Sequence, residues 1–199
     1  MLLKINNNIL LVLILLLFNT GMVFSATPEN FIKDITNKAS EILRKNIDKE
    51  NKSEELIELA KDSVDIKGIG LYTLGKHKKT IDEKQLNEYE ILFKNYFLKS
   101  FSSRLSEYSD PKINVVSQKY LNEKYTIVSS ILVGDENRPE IKIDWRVYTK
   151  NPEKPLIRDL IVEGLSLART QKEEFSSILS SNNNDIEILT KKLNEFVSN

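Results

Sequence analysis

Hydrophobic residues follow two different periods along the chain. From Pro28 to about residue 108, apolar residues recur every three or four positions, which is typical of amphipathic helices. From Lys112 to about Gly164 they alternate with polar residues, which is typical of half-buried strands. A helical period returns after Ser166. The pattern predicts an α+β domain in which N-terminal helices pack on a sheet that two C-terminal helices follow.

Four helices are predicted before the sheet. The first begins at Pro28, since proline is tolerated in a first helical turn. Asp65 is expected to cap the third helix. Thr80 and Glu83 have the spacing of a capping box and are expected to begin the fourth and longest helix. The apolar stripe of that helix is rich in aromatic residues, among them Phe93, Tyr96, Phe97 and Phe101.

The alternating segment contains four strand-length runs with short connections, which predict a four-stranded antiparallel meander. Gly164 is expected to turn the chain sharply after the fourth strand. Thr170 with Glu173 has capping-box spacing for the penultimate helix, and Asp185 is expected to cap the last one. One face of the sheet is expected to carry Ile127, Ile131, Ile143, Trp145 and Val147.

Residues 1–25 have the pattern of a secretory signal peptide. Lys4 precedes an unbroken apolar run over residues 9–18. That run is shorter than the roughly 20 apolar residues that span a bilayer. We therefore expect export, cleavage after Ser25 and a single domain over residues 26–199, with an uncleaved membrane anchor as the alternative.

Composition narrows the class of protein. The 199 residues contain 29 Lys and Arg against 29 Asp and Glu, and no run of basic residues forms a footprint for nucleic acid. The absence of cysteine excludes disulfides, a thiolate metal site and a cysteine nucleophile. We expect no metal and no cofactor.

Few residues suggest catalysis, and we expect a protein that is not an enzyme. His77, the single histidine, lies in a basic stretch and is expected to be a solvated turn residue. Asp159 and Glu163 lie on the same side of one predicted strand, and a structural pairing with Arg146 or Arg158 is the simpler interpretation. No serine lies in a nucleophile elbow.

From about Leu71 to Phe196 the chain resembles the MlaC family, the auxiliary proteins of toluene-tolerance ABC transporters. The resemblance rests on LYTLGKHKKTIDEKQLNEYEILFKNYF, IDWRVYTK and LIRDLIVEGLSLARTQKEEFSSIL. Its most specific part is DLIVEGLSL with the EFSSIL that follows. Thr170 stands where the family usually has asparagine, and SNNND replaces a Gly-Leu that often precedes the final helix.

This resemblance implies a periplasmic carrier with a cystatin-like or NTF2-like α+β cone. Such carriers hold a glycerophospholipid as cargo and move it between an outer-membrane lipoprotein and porin complex and an inner-membrane ABC transporter, which maintains outer-membrane lipid asymmetry. A monomer is expected. The lipid is expected to contact Phe93, Tyr96, Phe97, Phe101, Ile127, Ile131, Ile143, Trp145 and Val147.

Two alternatives remain at this point. These nine side chains are equally compatible with a plain hydrophobic core, in which case the protein is an exported module that binds a membrane-protein partner by its surface. A small enzyme on an NTF2-like scaffold is weaker, because the polar residues of such a pocket are not evident.

Overall fold

The computed structural model describes residues 27–134 and 139–199, so the predicted signal peptide lies outside the described residues. In chain order, helices precede and follow a sheet. The elements are α1 Pro28–Arg44, α2 Lys49–Ser63, α3 Ile66–Leu74, a 3-10 turn Gly75–Lys79, α4 Glu83–Leu105, β1 Ile113–Asn122, β2 Tyr125–Leu132, β3 Ile141–Tyr148, β4 Leu156–Val162, β5 Leu165–Ser166, α5 Leu167–Ser180 and α6 Ile186–Ser198. The predicted α+β class is confirmed.

Three helix starts agree with the prediction. Pro28 occupies the first turn of α1. The carboxylate of Asp65 accepts a 2.8 Å hydrogen bond from the backbone N–H of Gly68 and caps α3. Asp185 caps α6 in the same way. Each cap satisfies a backbone donor that has no partner within its helix.

The capping box of the longest helix lies two residues later than predicted. Asp82 and Gln85 form it, with a 2.8 Å bond from the N–H of Gln85 to the Asp82 carboxylate. Thr80 is unable to serve because its hydroxyl donates to the carbonyl of His77 and closes the preceding 3-10 turn. Asp82 and Gln85 have the same three-residue spacing as Thr80 and Glu83, so spacing alone does not locate the capping box.

The penultimate helix, by contrast, begins earlier than predicted. Ser166 caps α5 by accepting a 3.1 Å hydrogen bond from the N–H of Arg169. The hydroxyl of Thr170 instead donates to the carbonyl of Ser166, one turn back. Thr170 therefore lies within the first turn of α5.

The described strands form one antiparallel sheet in the order β1-β2-β3-β4-β5, one strand more than predicted. The additional strand β5 has two residues and returns along the end of β4. Glu163 and Gly164 between them both have positive φ, 49° and 83°. Two such residues are characteristic of a type I′ hairpin turn, which confirms the sharp turn predicted at Gly164.

The register of the sheet corrects the predicted inner face. Trp145 pairs with Val128, whereas Ile127 pairs with Arg146 and Ile131 with Lys142. Directly paired residues point to the same side of a sheet, so Ile127 and Ile131 lie on the face opposite Trp145. Their predicted place beside Ile143, Trp145 and Val147 is wrong. The strand β2 has apolar residues on both faces, and hydrophobicity therefore did not identify which face is buried.

One continuous apolar cluster joins the helices to the inner face of the sheet. It includes buried side chains from α1, α4, β2, β3 and α5. A second, smaller cluster joins Ile42 and Leu43 of α1 to Leu56 of α2. None of the described helices combines the length and apolar content that crossing a bilayer requires.

Candidate functional site

The inner face of the sheet supplies one wall of the candidate site. Val128 and Val147 are fully buried there, and Trp145 is nearly so. Ile143 and Leu160 are only half-buried, and both pack against the main apolar cluster. These five residues come from three adjacent strands, so the wall is continuous across the centre of the sheet.

The long helix α4 contributes aromatic side chains to the same apolar cluster. The rings of Phe93 and Phe97 are 6.3 Å apart, and those of Phe97 and Phe101 stack at 6.0 Å with an interplanar angle of 8°. Phe93 is 2% exposed, whereas Tyr96, Phe97 and Phe101 are half-buried. The four aromatic residues predicted on this helix therefore form one connected group.

The backbone of α4 has few close neighbours in the sheet. Its backbone neighbours lie mainly in α2, α3 and α6, whereas the strands have α1, α3 and α5 as their main helical neighbours. Side chains of α4 and of the sheet nevertheless belong to the same apolar cluster. That cluster also contains residues of other helices, and we call the side chains that α4 and the inner face of the sheet contribute to it the wedge.

The structure brings seven of the nine predicted residues to the wedge and leaves two outside it. The seven, all members of the main apolar cluster, are Phe93, Tyr96, Phe97, Phe101, Ile143, Trp145 and Val147. Ile127 and Ile131 do not belong to it because they lie on the outer face of the sheet.

Hydrogen-bonding groups within the wedge are satisfied by nearby protein atoms. The indole N–H of Trp145 donates to Ser130 Oγ at 2.8 Å, and that hydroxyl donates to the carbonyl of Ile143 at 3.2 Å. The hydroxyl of Tyr96 donates to Gln171 Oε1 at 2.9 Å. The walls consequently present hydrocarbon, which favours an apolar occupant over a polar one.

The hydroxyl of Tyr89, a buried tyrosine of α4, also has hydrogen-bond partners within the protein. Tyr89 is 0% exposed, and its hydroxyl lies 2.9 Å from Thr73 Oγ1 and 3.1 Å from the carbonyl of Gly70. Burial raises the pKa of the Tyr89 phenol. Burial, and next the carboxylate of Glu174, also raise the pKa of Tyr96. Neither phenol provides charge to the wedge at neutral pH.

Sequence reasoning missed several side chains of the wedge. Phe175 of α5 is 3% exposed and meets the ring of Phe93 edge-on at 6.3 Å. Ile113 and Val115 of β1 are half-buried against the cluster. The helical spacing of Phe175 with Leu179 was a signal for a core residue, but only the tertiary packing directs that ring toward α4.

Gly70 explains how α3 comes close to the wedge. A Cβ atom at Gly70 would lie 2.7 Å from Cδ1 of Phe93, a separation that side chains do not tolerate. The absence of a side chain therefore lets α3 pack directly against the Phe93 ring. The structure thus assigns Gly70 to close packing between α3 and α4.

Candidate catalytic groups have structural roles. Asp159 is 4% exposed, accepts hydrogen bonds from Ser166 Oγ at 2.7 Å and Ala168 N at 3.0 Å, and lies 3.5 Å from Arg146 Nη1. The predicted pairing with Arg146 is confirmed. Glu163 accepts a hydrogen bond from the backbone N–H of Lys142. Within the described residues, no group of three or more His, Asp or Glu side chains is placed to hold a metal ion.

His77 is buried, so the prediction of a solvated histidine is wrong. Its exposed fraction is 4%, because the 3-10 turn directs this side chain inward while Lys76, Lys78 and Lys79 point outward. Within the described part of the chain, His77 Nε2 has no hydrogen-bond partner. Burial, with a smaller contribution from Lys76, lowers the pKa of the imidazole. The neutral ring is therefore favoured.

The described residues form an α+β domain in which helices and one face of an antiparallel sheet share an apolar cluster. The family model described as MlaC protein matches residues 33–195, and the chain belongs to the MlaC family. A solved phospholipid-binding protein from Ralstonia solanacearum, in complex with a phospholipid, has the same fold. Its TM-score is 0.71 at 16% identity, over 85% of this chain and 96% of that one. No curated protein sequence matches the chain.

Proposed function

We propose that this protein is a periplasmic phospholipid carrier. In this proposal residues 1–25 direct export and are removed, and residues 26–199 form one lipid-binding domain that acts as a monomer. The observation that carries the proposal is the wedge: α4 and the inner face of the sheet contribute half-buried apolar side chains to one apolar cluster, although their backbones have few close contacts. Family membership and the phospholipid in the Ralstonia solanacearum structure support the same class of ligand.

The physical need for such a carrier follows from the hydrophobic effect. A diacyl lipid has about 30 methylene groups, and exposing them to water costs on the order of 24 kcal/mol at about 0.8 kcal/mol each. Free diffusion of a phospholipid through an aqueous compartment is therefore negligible. A protein wall of aliphatic and aromatic side chains offsets most of this cost, so transfer between a membrane and the carrier involves little net change in free energy.

The proposed lining retains the seven predicted residues that reach the wedge and adds the half-buried neighbours found there. Phe97 and Phe101 are the strongest candidates, because they combine large apolar rings with residual exposure. On the sheet, Ile143 and Leu160 are likewise half-buried and pack against the apolar cluster. Side chains of intermediate exposure lie where a cavity would open to solvent, and they are therefore expected to meet lipid before the fully buried ones do.

A carrier alone does not determine the direction of transport. Equal access to two membranes drives no net flow, since a ligand shifts an equilibrium only by its differential affinity. We propose that direction comes from partners, namely an outer-membrane lipoprotein and porin complex and an inner-membrane ABC transporter. In this role the protein would help keep phospholipid out of the outer leaflet of the outer membrane.

A second candidate function also has a specific observation in its favour. The side chains of the wedge form one continuous apolar cluster with the rest of the core, and Phe93, Trp145 and Val147 are almost completely buried in it. A filled core of this kind suits an exported module that binds a membrane-protein partner by its surface. The two candidates differ in whether the wedge opens around acyl chains.

A pair of substitutions distinguishes them. Phe97→Asp places a charge in the half-buried wedge, and Tyr120→Asp places the same charge at an aromatic residue of β1 that is 66% exposed. We expect Phe97→Asp, and not Tyr120→Asp, to reduce the phospholipid that co-purifies with the folded protein from a bacterial periplasm. Circular dichroism identifies folded samples. Equal lipid content in both folded variants would contradict the proposed location of the site.

A further inference from the structure

A groove on the surface lies between α2 and α4, outside the wedge. Its volume is about 420 Å³. Residues from both helices line it: Ser53, Ile57, Lys61, Lys94, Asn95, Leu98, Lys99 and Ser102. The lining thus contains three lysines and no carboxylate, although the protein as a whole has equal numbers of basic and acidic residues.

Most of this positive charge is not neutralised locally. Lys61 Nζ lies 2.6 Å from the carboxylate of Glu58. Lys99 Nζ donates to the carbonyl of Val197 at 2.9 Å, which satisfies one N–H but leaves the charge. Lys94 has no ion pair among residues 27–134 and 139–199. Lys94 and Lys99 therefore lie at the groove without a carboxylate partner in the described part of the chain, which favours an anionic occupant there.

The floor of the groove is apolar. Leu98 is 6% exposed and lies at its base, beside half-buried Ile57 of α2. Ile91 lies two helical turns before Leu98, on the same side of α4, and is 62% exposed. Lys94 and Asn95, both exposed, lie between Ile91 and Leu98 on this face of α4, so Ile91 forms a separate exposed apolar contact one turn beyond the groove.

We propose that this groove is a docking site for an acidic amphipathic helix of a partner protein. The apolar face of such a helix would cover Ile57, Ile91 and Leu98. Its carboxylates would meet Lys61, Lys94 and Lys99. An anionic bilayer fits less well, because a flat surface reaches the lysines at the rim but not the recessed Leu98. The proposal goes beyond lipid carriage and does not depend on what the wedge holds.

A defined peptide tests the proposal. The probe is a fluorescein-labelled helical peptide of Glu, Leu and Ala, with leucines spaced three and four residues apart, and fluorescence anisotropy reports its binding to the full chain. A second peptide of identical composition has its leucines dispersed around the helix. We expect the first peptide to bind more tightly than the second, and binding to weaken as salt is raised.

Two variants locate the binding surface. Lys94→Glu reverses a charge at the groove, and Lys78→Glu reverses one on the exposed 3-10 turn. We expect Lys94→Glu to weaken binding by about tenfold and Lys78→Glu to change it less than twofold. Ile91→Ser is expected to weaken binding of the first peptide and to remove its advantage over the dispersed one.

Three results would overturn the proposal. The first is no binding of the amphipathic peptide, and the second is equal loss in Lys94→Glu and Lys78→Glu. The third is that vesicles of phosphatidylglycerol bind the protein in a Lys94-dependent manner while the peptide does not, which would assign the groove to a membrane surface.

Discussion

The indole N–H of Trp145 donates a 2.8 Å hydrogen bond to the hydroxyl of Ser130 on the neighbouring strand. Ser130 is 0% exposed, so this bond lies within the apolar interior. A tryptophan brings a large ring to such a site but also an N–H that must be satisfied there. Ser130 resolves that conflict, because it accepts from the indole and donates to the carbonyl of Ile143.

Removing this acceptor should destabilise the protein. Ser130→Ala leaves the Trp145 N–H unsatisfied, and we expect the free energy of unfolding to fall by about 1–3 kcal/mol. In the Trp145→Phe background the same change should cost less, because no N–H remains to be satisfied. A double-mutant cycle in urea measures this coupling. Strict additivity of the two substitutions would contradict the role assigned to Ser130.

Gly70→Ala should also destabilise the protein, although alanine is the better helix former by about 1 kcal/mol. The added methyl group would lie 2.7 Å from Phe93 Cδ1, and overpacking of this kind costs about 1–3 kcal/mol. All three atoms nearest to that methyl group belong to Phe93. In the Phe93→Leu background, Gly70→Ala should therefore become neutral or stabilising. A cost that persists in that background, measured by urea unfolding, would show that Phe93 is not the cause.

Two isoleucines on adjacent strands test which face of the sheet contacts lipid. Ile143 and Ile127 are both half-buried, but Ile143 faces the wedge and Ile127 lies on the outer face. We expect Ile143→Asn to lower the amount of co-purified phospholipid, because an amide in an apolar site is unfavourable. Ile127→Asn should leave it unchanged. Lipid extraction and mass spectrometry of both folded variants provide the comparison, and a larger loss in Ile127→Asn would reverse the assignment of faces.

The buried histidine gives a pH dependence of stability with a definite sign. Burial lowers the pKa of His77 below the ordinary value of 6.5, so the unfolded chain binds the proton more readily than the folded one. Stability should therefore fall as the pH decreases through the interval from 6.5 to the folded-state pKa. His77 is the only histidine of the chain, and His77→Gln should remove this slope. Urea midpoints at pH 7.5 and 5.5 for both proteins measure it, and an equal slope in His77→Gln would contradict the assignment.

Much of the architecture could be predicted from the sequence, because periodicity and short-range chemistry determine it locally. The aromatic stripe on α4, the cap of Asp65 on α3 and the turn at Gly164 each depend on a few adjacent residues. In each case the local signal and the tertiary packing agree.

The remaining features depend on contacts between distant segments. The strand β2 has Ile127 and Val128 in succession, so its buried face is determined by pairing with β3 and not by its own pattern. The inward direction of His77 results from the 3-10 turn, which the basic composition of that segment concealed. Phe175 reaches the wedge because α5 packs beside α3 and α6, a long-range arrangement that one sequence does not specify.

Native mass spectrometry of the protein purified from a bacterial periplasm tests the central claim most directly. The wedge between α4 and the sheet should retain acyl chains during purification, and we expect a mass shift of one phospholipid on most chains. Protein without bound lipid, under conditions that preserve the complex of a known lipid carrier, would contradict the proposed function and favour a filled core.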